Sequence, residues 1–349
     1  MNLYYQQEMK IFIPMAGKGT RLRPFTLTCP KPLLKINNKP IVEHLIDQIT
    51  SKLTTQIDEI IYILGDEAYF NSDVVTSLTL IANKYNAKTT VYRQLDQLGT
   101  GHAIMCAEDS LEGPSIIAYA DTMIQGQISI DSDVDGIIWV KKVKNPSSYG
   151  VVRLDEKQNI TDLIEKPQDY ISDLAVVGIY YFKDISIIKN ELKIHLNQKL
   201  SPGKEYLLNY GIEKMIEKRK VFKSQEIETW MDCGTPKLLI ESAKKIMNSQ
   251  IIPEDNHSFT KSDNVKVTQP VFIGKNVKIK DSEIGPFVSI GDDTDISNSN
   301  IESTLIYKSV KVSNADIKNS ILGAYSVYDG SNKEIFLGDY SQINDNEDN

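Results

Sequence analysis

Lys10-Ile11-Phe12-Ile13-Pro14-Met15-Ala16-Gly17-Lys18-Gly19-Thr20-Arg21 is an apolar run that breaks into a glycine-rich turn. The run reads as a buried strand. Gly17 and Gly19 tolerate φ > 0 and close backbone approach, so successive N–H groups can cradle a phosphate. The turn is not a Walker loop, because no Gly-Lys-Ser/Thr closes it. It is not the dinucleotide fingerprint either, because Leu22 stands where the third glycine belongs. A strand that delivers a glycine turn at its carboxyl end is the opening of an α/β sheet, and the chain beyond it keeps that grammar.

A stiff loop follows, punctuated by Pro24, Pro30, Pro32 and Pro40, each of which fixes φ. Apolar residues at 41, 42, 45, 46 and 49 predict a helix. Strands are expected at 59–65, 88–92 and 115–121, with a helix over 101–107. This alternation implies a parallel, doubly wound, Rossmann-like sheet whose ligands sit at the carboxyl ends of strands. The glycine turn and Asp121 both fall at such ends. Further strands are expected at 136–143, 150–154, 160–165 and 175–182, and helices at 185–196 and 206–219. Thr235-Pro236 reads as an N-cap with proline at N1, starting a helix to about residue 250. Pro253 marks a boundary.

From residue 260 the pattern changes. Val265, Val271 and Val277 are six apart, as are Ile284, Ile290 and Ile296, and Ile-Gly recurs at 273–274, 284–285 and 290–291. A six-residue period of β-branched residues predicts a parallel β-helix in which three hexads make one triangular coil. The signal loosens after Val312, which suggests three to four coils. The expected domains are therefore 9–250, 260–325 and a tail over 326–349, disordered after Gln342.

Composition narrows the function. The chain has 349 residues, 41% hydrophobic and 25% charged, with a net charge of −8. That is ordinary globular composition of the wrong sign for bulk nucleic-acid binding. No run is long enough to span a bilayer, and the first residues lack the basic and apolar parts of a secretory leader. Three cysteines form neither a disulfide framework nor a metal spacing, which fits a reducing, cytoplasmic setting. Yet Met9–Val42 holds no Asp or Glu and seven bases: Lys10, Lys18, Arg21, Arg23, Lys31, Lys35 and Lys39. An acid-free basic loop in an acidic protein points to a small polyanion, the plainer alternative being a solvated basic face. The histidines show no metal or triad spacing. His44 and His195 read as surface residues of helices.

Taken in order, these residues resemble the sugar-1-phosphate nucleotidylyltransferases. Pro14–Leu22 followed by Pro30-Lys31-Pro32-Leu33 is similar to the family's signature loop. Gln94 and Gln97-Leu98-Gly99-Thr100-Gly101-His102-Ala103 resemble its base-reading segment. Ala120-Asp121 resembles a metal-binding strand end. Tyr149-Gly150-Val151, Glu165-Lys166-Pro167 and Val177-Gly178 resemble its sugar pocket, and Trp230–Pro236 its second metal site. Members often carry a C-terminal left-handed β-helix.

The resemblance implies nucleotidyl transfer from an NTP to a sugar-1-phosphate, with pyrophosphate released and no covalent enzyme intermediate. It assigns catalysis to Arg21, Lys31 and Lys166. Nucleotide binding falls to Ala16, Gly17, Lys18, Gly19, Thr20, Gln94, Gly99 and Thr100. Sugar-phosphate binding falls to Tyr149, Gly150, Glu165, Lys166 and Val177, and Mg²⁺ ligation to Asp121 and Asp232. Read singly, the two aspartates are also ordinary turn residues, and Glu165 with Lys166 an ordinary surface pair. N-acetylhexosamine enzymes of the family typically have Asn where Val176 stands, which favours glucose-1-phosphate. The base segment favours UTP or dTTP. A homo-oligomer with neither nucleic acid nor membrane as partner is expected. The competing readings are a non-catalytic relative, an enzyme whose β-helix transfers an acyl group, and a plain nucleotide-binding module.

Overall fold

The computed structural model describes residues 8–131, 133–249, 260–262, 264–330 and 334–344. The chain order begins with β1 (Met9–Pro14), a hairpin of β2 (Lys35–Ile36) and β3 (Lys39–Pro40), α1 (Ile41–Thr50), β4 (Ile57–Leu64) and α2 (Ser72–Asn83). It continues with β5 (Lys88–Arg93), α3 (Thr100–Met105), β6 (Ser115–Ala118), β7 (Thr122–Gln125), β8 (Gly136–Lys142), β9 (Gly150–Leu154) and β10 (Ile160–Glu165). Then come β11 (Leu174–Phe182), α4 (Lys189–Leu196), α5 (Leu208–Glu217), β12 (Phe222–Glu226), β13 (Thr229–Asp232) and α6 (Pro236–Ser249). Contacts divide the chain into two units: Met1–Gly17 with Leu45–Trp230, and Lys18–His44 with Met231–Asn349.

The first unit is built on a nine-stranded sheet in the order β10-β9-β11-β6-β1-β4-β5, with β8 beside β11 and β12 beside β8. β1 pairs in parallel with β4 and β6, and β4 with β5. β11 runs antiparallel to β6 and β8, and β10 to β9. The sheet is therefore mixed: the parallel arrangement expected from the strand–helix alternation holds for β5-β4-β1-β6, and the strands of the middle segment add antiparallel pairs. The physical reason is connection length. β9 and β10 are joined by a short turn, which permits only an antiparallel return, whereas a parallel pair needs a crossover of a dozen residues or more. The core on this sheet includes Phe12, Ile61, Ile117, Ile138, Tyr180, Phe182 and Phe222, all fully buried.

β11 carries an irregularity between Val176 and Tyr180. Gly178 adopts φ +87°, and a Cβ there would stand 2.6 Å from the Tyr119 ring. The Gly178 carbonyl also accepts from the Tyr119 backbone N–H at 2.9 Å. Only glycine fits, because both the backbone sign and the ring exclude a side chain.

In the second unit, the described residues between 260 and 344 form three all-parallel sheets of six, four and five strands, the architecture of a left-handed β-helix. Ile279, Ile296, Val312 and Tyr328 are stacked register partners and all are buried. Each coil takes 15–17 residues: Lys278 pairs with Asp295, Asp295 with Lys311, Lys311 with Val327, and Val327 with Gln342. Corners at Asn276, Asp281, Phe287, Asp293, Asn298, Ser303, Ser309, Asn314, Asn319 and Tyr325 have positive φ and fall five or six residues apart. Mixed five- and six-residue sides explain why the hexad fades after Val312. They also correct two expectations. The coils outnumber the three or four expected, and strands at Val327–Asp329, Phe336–Leu337 and Gln342–Asn344 place coil structure where a tail is expected. Pro253 and His257 lie outside the described residues.

Candidate functional site

The segment Lys18–Val42 owes its shape to close packing on its own turns. Gly19 has φ +60°, and a Cβ there would press on Lys31 Cβ at 3.0 Å and Thr26 Cγ2 at 3.1 Å. Thr26 Oγ1 donates to the Gly19 carbonyl at 2.8 Å. Gly19 is thus held by sterics, and it brings the glycine turn against Lys31, whose side chain is buried. Gly17 is different. It is exposed, and a Cβ there would meet nothing within 4 Å. The protein itself gives no steric reason for glycine at 17, and the space beside its backbone is open.

Arg21 is brought to Asp232. The point where a Gly234 Cβ would sit lies 2.9 Å from Asp232 Oδ1 and 3.2 Å from Arg21 Nη2. The Gly234 backbone N–H donates to Asp232 Oδ1 at 2.7 Å, which orients the carboxylate at the end of β13. Ser242 of α6 donates to the Asp232 carbonyl at 3.1 Å. A guanidinium and an oriented carboxylate therefore meet at a residue with no side chain. Adjacent Cys233 is buried and forms part of the packing.

Asp121 sits half-buried in the turn between β6 and β7, beyond the end of the strand proper. The turn is fixed by Thr122, whose N–H donates to the Tyr119 carbonyl at 3.1 Å and whose Oγ1 donates to the Val177 carbonyl at 3.0 Å. Burial pushes the Tyr119 phenol up to about 12; hydrogen bonds with Thr100 and Tyr180 oppose this, and the carboxylates of Glu165 and Asp121 add to it. Those two acids thus share the surroundings of one buried phenol.

Glu165 ends β10 and is the register partner of Gly150. A Cβ on Gly150 would lie 3.0 Å from Glu165 Oε2 and 2.8 Å from Asn209 Nδ2, with Val176 Cγ2 at 3.9 Å. Glycine at 150 leaves room for the Glu165 carboxylate, which accepts from Asn209 Nδ2 at 2.8 Å. Lys166 follows at φ +45°, its backbone N–H donating to the Tyr149 carbonyl at 3.0 Å and its Nζ 3.8 Å from Glu165 Oε1. Tyr149 packs edge-on against Trp230 at 4.9 Å. The structure thus assembles Tyr149, Gly150, Glu165 and Lys166 in one place. Val177 does not join them: it is buried and its carbonyl is taken by Thr122, while its neighbour Val176 faces Gly150.

In the segment 94–103, the Gln94 amide donates to the Gly99 carbonyl at 3.0 Å and lies 3.1 Å from His102 Nδ1. Gly99 has φ +121° and packs so tightly on Tyr206 that a Cβ would stand 2.6 Å from its carbonyl oxygen. Thr100 Oγ1 accepts the Leu208 N–H at 3.0 Å, near the start of α5. Gln94 and Thr100 therefore hold this loop in shape. Gln97 donates to the Ala16 carbonyl at 3.0 Å and ties the loop to the end of β1.

Sequence reasoning missed Asn209 and Tyr180, whose partners lie far along the chain. It also misplaced three residues. Lys10 is buried and paired with Glu112 at 3.2 Å, so it is no part of the basic loop's charge. His44 is buried with Nε2 3.0 Å from the Ile36 carbonyl, and His195 is buried and stacked on Tyr210 at 3.9 Å. His44 is buried with a carbonyl partner for its ring nitrogen, whereas His195 is buried against an aromatic face with its Nε2 lacking a hydrogen-bond partner among the described residues. Among the described residues no three His, Cys, Asp or Glu side chains cluster as a metal site, and no helix is long and apolar enough to cross a membrane.

Comparison with known proteins matches residues 12–249 to the family of nucleotidyl transferases. The chain is 28% identical to a glucose-1-phosphate thymidylyltransferase of Streptomyces antibioticus, over 96% of this chain and 99% of that one. It is 28% identical to the bifunctional protein GlmU of Methanococcus vannielii, over 90% and 78%. It is 25% identical to Agl11 of Haloferax volcanii, a nucleotidyltransferase of low-salt glycan biosynthesis, over 90% and 92%. Similar solved structures include a UDP-glucose pyrophosphorylase complexed with UDP-glucose, with TM-score 0.57 and 23% identity over 70% of this chain and all of that one. A second is a putative glucose-1-phosphate thymidylyltransferase from Bacillus anthracis, with TM-score 0.56 and 23% identity over 70% and 98%. These two likenesses establish the fold.

Proposed function

Since the chain belongs to the nucleotidyl transferase family, we propose that it transfers a nucleotidyl group from UTP or dTTP to glucose-1-phosphate, giving a nucleotide sugar and pyrophosphate. A phosphate oxygen of the sugar phosphate attacks the α-phosphorus of the NTP. The new P–O bond forms as the bond to the β-phosphate breaks, and pyrophosphate leaves with the electron pair. The main obstacle is the repulsion of two anions, so positioning and electrostatics carry most of the catalysis.

Arg21 and Lys31 are the proposed partners of the β- and γ-phosphates and of the leaving pyrophosphate. The open backbone at Gly17 suits close approach of a phosphate. Lys166 is proposed to bind the sugar phosphate, and Glu165 with the Gly150 backbone the sugar hydroxyls. Asp121 and Asp232 are each proposed as a ligand of Mg²⁺. Their oxygen donors suit that ion, which prefers one or two carboxylates together with substrate phosphates, and both are half-buried, Asp121 in the turn after β6 and Asp232 at the end of β13. When bound, Mg²⁺ would neutralise phosphate charge.

The observation that carries the sugar assignment is Val176, whose methyl lies 3.9 Å from the Gly150 Cβ position and offers no amide to an acetamido group. A buried unpaired amide costs about 1–3 kcal/mol. A matrix of NTPs against sugar-1-phosphates, read by pyrophosphate release, tests the whole reading. Glucose-1-phosphate with UTP or dTTP should give the highest kcat/KM. Preference for N-acetylglucosamine-1-phosphate would overturn the sugar, and preference for a purine the base.

A further inference from the structure

Glu165 is clamped from two sides. On one, Lys166 Nζ lies 3.8 Å from Oε1; on the other, Asn209 Nδ2 donates to Oε2 at 2.8 Å. The two contacts differ in kind. The Lys166 side chain is 67% exposed and would be drawn to any bound phosphate, whereas Asn209 is only 9% exposed, at the second position of α5. Its amide cannot turn over. A carboxylate only accepts, so Nδ2 must face Glu165, and Oδ1 is left to accept from the Tyr180 hydroxyl at 2.9 Å. Tyr180 is fully buried, and burial holds its phenol well above its ordinary range, so it remains a neutral donor. Tyr180 is fixed in turn by the edge of Tyr119 at 5.7 Å, and Tyr119 fits only because Gly178 has no Cβ.

We infer that Asn209 is the positioning residue of the sugar site: it fixes the rotamer of Glu165 so that the second carboxylate oxygen meets the substrate's hydroxyls. The inference rests on the role proposed for Glu165. It also gives Gly178 a purpose other than ligand contact, since that glycine admits the ring that braces the relay.

Asn209→Asp tests this with little change of shape. The introduced carboxylate can still accept from Tyr180, but it presents Glu165 with a second acceptor in place of a donor. A lost hydrogen bond to a charged group corresponds to about 10- to 100-fold in affinity. The sugar-1-phosphate KM should therefore rise about 10- to 100-fold, while the NTP KM stays within about twofold. Asn209→Asp combined with Glu165→Gln restores a donor–acceptor pair of opposite sense. It should recover sugar-phosphate affinity relative to Asn209→Asp, a non-additivity expected only of residues in contact. A sugar-phosphate KM equal to wild type in Asn209→Asp would overturn the inference alone. So would equal loss for both substrates with a lower melting temperature and no recovery in the double variant, which is the behaviour of a packing residue. Wild-type protein that releases no pyrophosphate with any pair of substrates would overturn the proposed function, and this inference with it.

Discussion

At the scale of single residues, the informative contrast is between Arg21 and Asp232, which meet at Gly234. A guanidinium held beside an oriented carboxylate is preorganised, and charge that develops elsewhere in the reaction can draw on it without reorganising solvent. Arg21 is proposed to face the pyrophosphate, where negative charge accumulates as the bond breaks. An interaction gained mainly in the transition state appears in kcat. Arg21→Ala should therefore lower kcat by about 100-fold, the size of losing one preorganised charge-stabilising donor, with the sugar-phosphate KM within a few-fold. A change confined to sugar-phosphate KM would move Arg21 out of that role. Asp121→Asn and Asp232→Asn should each remove most Mg²⁺-dependent turnover while the melting temperature in the absence of metal changes little; near wild-type kcat at saturating Mg²⁺ would refute the ligand assignment. Residue types and order marked these positions as candidates in the sequence. The residues that were misread, Lys10, His44 and His195, were read from local pattern alone, although their surroundings are set by Glu112, Ile36 and Tyr210.

At the scale of elements, periodicity did most of the work and its failures are physical. Strands with apolar runs, such as β1, β4 and β11, stood out because both faces are buried. α2 did not, although Asn71 caps it by accepting from the N–H groups of Asp73 and Val74 at 3.1 Å. Its Ser- and Thr-rich composition has low helix propensity, and its burial on the sheet supplies what propensity lacks. β12 was missed because its Lys, Ser, Gln and Glu break the apolar alternation. Glycines in loops separate into two kinds, and a pair of substitutions distinguishes them. Gly99→Ala puts a Cβ 2.6 Å from the Tyr206 carbonyl oxygen at a positive φ, so it should cost about 1–3 kcal/mol of stability, seen as a lower melting temperature. Gly17→Ala meets only open space, so its melting temperature should stay near wild type while the NTP KM rises. An unchanged NTP KM in Gly17→Ala would mean that the phosphates do not approach the loop there.

At the scale of the whole molecule, contacts link segments far apart in the chain. The basic loop Lys18–His44 groups with Met231–Asn349. Thr28 Oγ1 donates to Asp339 Oδ2, Asn38 Nδ2 donates to Asp292 at 2.7 Å, and the Asn37 N–H donates to Ser289 Oγ at 3.1 Å. Phe25 lies edge-on to Tyr307 at 6.4 Å, and Pro24 closes on Gly338. No sequence pattern could show this, since the partners are separated by some 250 to 310 residues. The coils thus brace the loop that carries Arg21 and Lys31, a role that needs no second active site; residues 260–349 contain no histidine to serve as a base for acyl transfer. The full chain should therefore not acetylate an amino sugar phosphate from acetyl-CoA. A chain ending at Ser249 keeps every residue proposed for nucleotidyl transfer but loses Ser289, Asp292, Tyr307 and Asp339. If the coils served only for assembly, that chain would keep its kcat and NTP KM and change only its oligomeric state. If they brace the loop, its NTP KM should rise at least tenfold and its melting temperature fall. Asp292→Ala and Asp339→Ala in the full chain should then reproduce part of the KM change, each removing one hydrogen bond worth about 1 kcal/mol, or roughly fivefold. Full activity in the shortened chain, with wild-type NTP KM in both point variants, would show that the loop holds its shape without the coils.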